Sequence, residues 1–125
     1  MPSPYLSARL RSFGHAFRGL MLLLGTQPNA RIHALATVLV LAAGALFGIS
    51  PVEWALIALA VLCVWATEAL NTAIEFLVDL VSPELHPLAA KAKDVAAGAV
   101  LVAAIGSLIV GILVFGPYIL KLIAQ

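Results

Sequence analysis

Residues 66–82, ATEALNTAIEFLVDLVS, decide how this chain is read. They continue an uncharged run, WALIALAVLCVWAT at 54–67, and then carry Glu68, Asn71, Glu75 and Asp79. A helix turns by about 100° per residue, so steps of three, four and four residues place all four on one face. Turning that face to lipid would cost about 2.5–3.5 kcal/mol for an acid at mid-membrane. The face must therefore meet protein, water or bound cations.

The rest of the chain fits a membrane setting. It is 63% hydrophobic and 10% charged, whereas soluble domains average roughly 45–50% and about 25%. Residues 32–52 and 95–120 hold no Asp, Glu, Lys or Arg. With the stretch from 54 to about 80, these make three segments long enough to cross a hydrocarbon core of roughly 30 Å. Backbone groups in lipid must be satisfied locally, so each segment is expected to be a helix. Gly48-Ile49-Ser50-Pro51 separates the first two, Ser82-Pro83 ends the second, and Gly116-Pro117 disturbs the third. A formal charge of +1 with no basic run offers nothing for nucleic acid. The single cysteine, Cys63, excludes an intramolecular disulfide and reads as a small apolar residue. The N-terminus lacks the apolar core and small-residue site of a cleavable signal peptide.

Arg9, Arg11, Arg18 and Arg31 precede the first span, and Lys91 and Lys93 lie between the second and third. The positive-inside rule then predicts a cytoplasmic N-terminus, a cytoplasmic 81–94 loop and an outer C-terminus. Before the first span, Leu6, Leu10, Phe13, Phe17, Leu20 and Leu24 form one apolar stripe, with Arg11, His15 and Arg18 on another face. This pattern predicts an amphipathic helix lying in the interface. Gly44 and Gly48 have the spacing of a close helix–helix contact.

The polar face occupies the cytoplasmic half of the second span, and the outer halves of all three spans are nearly free of ionisable groups. A site reached from the cytoplasm suits this better than a path through the membrane. Carboxylates offer oxygen ligands to a hard cation such as Mg²⁺, which usually keeps phosphate and water ligands as well. Lys93 can neutralise phosphate, while Asp94 reads equally as the N-cap of the third span. Neither a Gly-rich phosphate loop nor a protein-kinase signature is present. A lipid phosphate phosphatase would need clustered His and Arg, but the three His are scattered along the chain. These residues thus describe a cytoplasm-facing, metal-capable anionic site in a helical membrane protein.

Glu68-Ala-Leu-Asn71-Thr-Ala-Ile-Glu75-Phe-Leu-Val-Asp79, followed by Ala92-Lys93-Asp94-Val-Ala-Ala-Gly98-Ala-Val, resembles the signature of the prokaryotic diacylglycerol kinase family. The likeness runs from about Ser12 to Pro117. Asn29-Ala-Arg31-Ile-His33, Ser50-Pro-Val-Glu-Trp54 and Pro83-Glu-Leu-His86-Pro resemble the branch containing undecaprenol kinases. The resemblance implies an all-α membrane protein in one domain, residues 1–125, forming a homotrimeric bundle with shared active sites. The surface helix would cover about 5–27 and the spans about 32–50, 54–80 and 94–117. It implies transfer of the γ-phosphate of ATP, with Mg²⁺, to a lipid alcohol such as diacylglycerol or undecaprenol, at the inner membrane of a bacterium. By position, Glu68 would be the general base, Asn71 would arrange the centre, and Glu75 would hold the metal. Lys93 would neutralise phosphate and Asp94 would help position the nucleotide. Gln27 stands where the family usually has an acid that serves as a second metal ligand, and can lend only a carbonyl oxygen. His15 stands where an aromatic residue is common, and its imidazole can stack on adenine. A non-catalytic membrane assembly subunit and a small cation carrier are the competing expectations.

Overall fold

The computed structural model describes residues 3–124, which form four helices and no strand. They are α1 (Pro4–Thr26), α2 (Pro28–Phe47), α3 (Pro51–Val81) and α4 (Pro87–Ile123). The last three are long and apolar enough to cross a membrane. At about 1.5 Å per residue, α2 spans about 30 Å, α3 about 46 Å and α4 about 56 Å. Pro28, Pro51 and Pro87 each open a helix, where a missing N–H is harmless and the fixed φ is helical.

The junctions are short because each is capped by specific groups. Only Gln27, in extended backbone, separates α1 from α2. Arg31 reaches back from α2 to donate to the carbonyls of Leu24 (3.0 Å) and Gly25 (2.6 Å), satisfying the open end of α1. Between α2 and α3, Gly48 takes φ 62°, and the Ile49 N–H returns to the Gly44 carbonyl at 3.2 Å. A side chain at 48 would strain this left-handed turn. The sequence expectation of a Gly44/Gly48 contact face is therefore corrected: Gly48 ends a helix, and Gly44 alone makes room, for Trp54. A Cβ on Gly44 would lie 2.6 Å from Trp54 Cη2. Ser50 and Glu53 then start α3 with a reciprocal capping box.

Two further expectations are corrected at the α3–α4 turn. Only residues 82–86 are non-helical there, so Lys91, Lys93 and Asp94 stand on α4 and not in a loop. Asp94 is not an N-cap; His86 holds that place, its Nδ1 accepting from the Leu88 N–H at 3.1 Å. Pro117 does not end the third span either, since α4 continues to Ile123.

The principal packing is α3 against α4, with α2 laid beside α3. At the end bearing Gly48, an apolar cluster joins Ile49, Ile57, Val114 and Phe115, with Phe47, Trp54 and Tyr118 around it. Phe47 stacks obliquely on Phe115 and Tyr118, at centroid distances of 6.1 and 5.7 Å. The Tyr118 hydroxyl donates to Glu53 Oε2 at 2.8 Å, tying the start of α3 to the end of α4. Nearer the middle, Ser107 Oγ donates to the Ala60 carbonyl and Trp65 Nε1 donates to Thr37 Oγ1. These bonds fix the heights of α4 and α2 relative to α3. Much of the surface is aliphatic, including Leu35, Leu39, Leu59, Val102 and Leu113. The exposed area, 9085 Å², exceeds the roughly 6,300 Å² of a compact globule of this mass. Such a surface suits lipid or further protein, not water.

Candidate active site

On α3 the polar face is graded in depth. Glu68 is 1% exposed, Asn71 6% and Thr72 3%, although all three are polar. One and two turns on, Glu75 is half-buried and Asp79 is open. The structure thus sets Glu68 innermost and leads the face outward to the turn between α3 and α4.

Each of these side chains has a defined neighbour or lacks one. Asn71 Nδ2 donates to Glu75 Oε1 at 3.1 Å, one helical turn along. Its Oδ1 is left buried with no partner, as are Thr72 Oγ1 and Glu68 Oε2. Across from α3, His33 of α2 directs Nε2 toward Glu68 Oε2 at 3.7 Å, and that nitrogen is also unpartnered. The gap is wider than a hydrogen bond. Buried polar atoms in folded proteins are nearly always paired, so the facing open atoms of His33 and Glu68 point to a ligand. Asn71 and Thr72 stand on the next turn of α3, Thr72 against α1.

Asp79 and Lys93 meet across the α3–α4 turn, the ammonium donating to Asp79 Oδ1. Their side chains are 63% and 39% exposed, so the pair is open to exchange with solvent ions. The remaining sequence candidates are more distant. His15 lies on the exposed face of α1, its Nδ1 2.6 Å from an Arg18 nitrogen. Gln27 is half-buried at the α1–α2 junction, its Nε2 3.5 Å from Thr26 Oγ1. Asp94 is exposed on α4. Among the described hydrogen bonds and ion pairs, none links His15, Gln27 or Asp94 to the carboxylate face.

A hard cation needs oxygen donors. Glu75 and the open Oδ1 of Asn71 are oxygen donors of the right kind. Among the described residues, however, no three His, Cys, Asp or Glu side chains converge as a cage. The site therefore fits an ion that takes most of its ligands from phosphate and water, which is the usual state of Mg²⁺.

His33 was not named as a site residue from sequence. One signal was present: it is the one ionisable side chain in the run 32–52. Arg31 carried a second role that charge counting missed, as the cap of α1.

A family model described as prokaryotic diacylglycerol kinase matches residues 14–115. The chain is similar to an undecaprenol kinase of Bacillus subtilis, 46% identical over 112 residues that cover 90% of this chain and 91% of the relative. It is 44% identical over 114 residues to a diacylglycerol kinase of Synechocystis, covering 90% of this chain and 65% of that protein. A diacylglycerol kinase of Escherichia coli is 29% identical over 100 residues, 80% of this chain and 82% of the relative. With its signature acids on one face of α3 and the match reaching all three long helices, the chain belongs to the prokaryotic diacylglycerol kinase family.

Proposed function

We propose that this protein is a lipid kinase that moves the γ-phosphate of ATP to the hydroxyl of a membrane lipid alcohol, diacylglycerol or undecaprenol. The observation that carries this reading is the unpartnered Glu68 Oε2, sealed in the bundle two turns from Glu75. At 1.5 Å per residue, the two acids are about 10 Å apart along α3. That separation suits a base at the acceptor and a metal ligand at the phosphates.

Glu68 takes the proton of the lipid hydroxyl as its oxygen attacks the γ-phosphorus, and the bond from that phosphorus to the bridging oxygen of ADP breaks. Glu75 faces the phosphate end, and Asn71 holds its carboxylate through the Nδ2 bond. Mg²⁺, when bound with the nucleotide, supplies positive charge to the phosphate oxygens. Lys93 adds to that charge by exchanging Asp79 for a phosphate oxygen, which the exposure of the pair permits. Gln27 and Asp94 complete the nucleotide end, and His15 offers its ring to the base. Phosphoryl transfer depends mostly on positioning and electrostatic stabilisation, and this set provides both.

Arg31, Lys91 and Lys93 at the end that carries the site support a cytoplasmic N-terminus in a bacterial inner membrane. The aliphatic outer faces and the sparse metal ligands support a homotrimer whose neighbouring copies complete each site. A cation carrier would need ionisable groups throughout the span. At the opposite end the one acid among the described residues, Glu53, is already held by Ser50 and Tyr118.

The test is a radiolabelled ATP assay on purified protein in lipid or detergent, with diacylglycerol and undecaprenol as separate acceptors. Labelled lipid phosphate should form with at least one, and Glu68→Gln or Glu75→Gln should abolish it. Full activity in both variants would refute the assignment.

A further inference from the structure

Between α2, α3 and α4 lies an open groove of about 710 Å³, walled by residues such as Ala36, Val40, Val61, Gly111 and Phe115. It extends along α4 from Ala104 to Leu120, about 24 Å of helix rise, most of a hydrocarbon core of roughly 30 Å. His33, Thr37 and Ser107 are its hydrogen-bonding side chains. Thr37 Oγ1 is already occupied by the His33 carbonyl and Trp65, and Ser107 Oγ by the Ala60 carbonyl. His33 alone among these three has an unpartnered buried side-chain atom, Nε2, and that atom faces Glu68.

We infer that His33 positions the acceptor: it holds the lipid hydroxyl against Glu68, while the groove takes the apolar chain of the same lipid. This rests on the lipid-kinase reading above. The geometry favours a bridging hydroxyl. Nε2 and Oε2 are 3.7 Å apart, too far to bond each other. An oxygen about 2.8 Å from both fits between them with an angle near 80°. In that place the hydroxyl gives its proton toward Glu68 and accepts an N–H from His33. The same contact holds the oxygen lone pair in a fixed direction, which is how an oriented nucleophile gains rate. His33 so acts through the acceptor's position and takes no proton in the net reaction.

The groove's occupant follows from its continuity with this polar end. One turn before Glu68, Val64 belongs to both the groove wall and the helix face that leads to the acid. A molecule with one hydroxyl and a long apolar chain matches a long apolar channel whose unpartnered polar atom is His33 Nε2.

The experiment has three arms. Steady-state kinetics on His33→Leu should show kcat/KM for the lipid falling by about 10- to 100-fold, with the KM for ATP unchanged. His33→Gln, which keeps a donor, should recover most of the loss. A merely structural role would move both substrates together and would not be rescued by Gln. Second, Gly111→Leu enters open space, since a Cβ there meets nothing within 4 Å. It should raise the lipid KM by at least about tenfold and leave ATP untouched. If it instead dissociates the oligomer at an unchanged lipid KM, a second copy fills the groove and the chain assignment is overturned. Third, nucleotide-free protein with ¹⁵N-labelled histidine is titrated with dioctanoylglycerol and with farnesol. The His33 ring signals should shift saturably, while those of His15 and His86 stay fixed. Equal shifts in all three, or none, would overturn the role of His33. If wild type transfers no phosphate, the kinase reading falls, and the ring shifts still decide whether His33 binds the alcohol.

Discussion

Replacing Glu68 by Leu should make this protein more stable and catalytically dead at once. Glu68 is 1% exposed, its Oε2 has no partner, and His33 Nε2 stands off at 3.7 Å. An unsatisfied buried polar atom costs about 1–3 kcal/mol, and more if charged. Leu is no smaller than Glu, so the replacement leaves no cavity, and the gain should be about 1–3 kcal/mol. Glu68→Gln keeps a polar group in place and should change stability by less than about 1 kcal/mol. Both variants lose the base, with kcat falling by about 10²- to 10⁴-fold. Reversible unfolding in mixed micelles, followed by tryptophan fluorescence, measures the first quantity, and labelled ATP the second. A Leu variant destabilised by more than about 1 kcal/mol would refute the reasoning. Glu68 would then be a satisfied structural group and not an acid held ready for a substrate.

Other outcomes follow from neighbouring geometry. Lys93→Met should lower kcat by about 100-fold and raise the KM for ATP, whereas Lys91→Met, exposed on the same helix, should stay within about twofold; equal effects would remove Lys93 from the phosphate end. Gly44→Ala drives a methyl to 2.6 Å from Trp54 Cη2, so it should destabilise by about 1–3 kcal/mol, and the added Trp54→Leu should relieve most of that in a double-mutant cycle. Tyr118→Phe removes the donor to Glu53 and should lower the unfolding midpoint while leaving the KM for both substrates unchanged. A kinetic effect there would show that the two ends of the bundle are coupled.

The reach of the sequence differs from one residue to the next. The shared face of Glu68, Asn71 and Glu75 was legible because helical period fixes it without any tertiary contact. That the face turns away from lipid was legible too, since lipid penalises the alternative. What faces Glu68 was not. His33 is 35 residues away in sequence and is brought opposite by the height at which α2 packs on α3, a height set in part by the Trp65–Thr37 bond. The pairing of Asp79 with Lys93 depended on how short the α3–α4 turn is, and the misplacement of Asp94 as a cap came from the same source. His86-Pro87 carried the needed signal, a capping side chain followed by proline at the first helical position. Gln27 and His15 were placed by family resemblance, and the single chain sets neither beside the acids.

The turn at Gly48–Ser50 has a mechanical consequence. The Phe47, Phe115 and Tyr118 rings, the capping box and the Glu53 bond clamp the bundle there, while at its far end α3 meets α4 through an exchangeable ion pair. The α2–α3 hairpin is therefore built like tweezers, joined at the Gly48–Ser50 turn and tied near its tips by the Trp65–Thr37 bond. From Ile49 to Glu68 the arm is about 28 Å long. Bringing His33 and Glu68 from 3.7 Å to bonding distance moves the tip by about 0.9 Å, a swing of about 2°. So small an angle needs no unwinding and no lost core contact, and a substrate's arrival or departure can drive it.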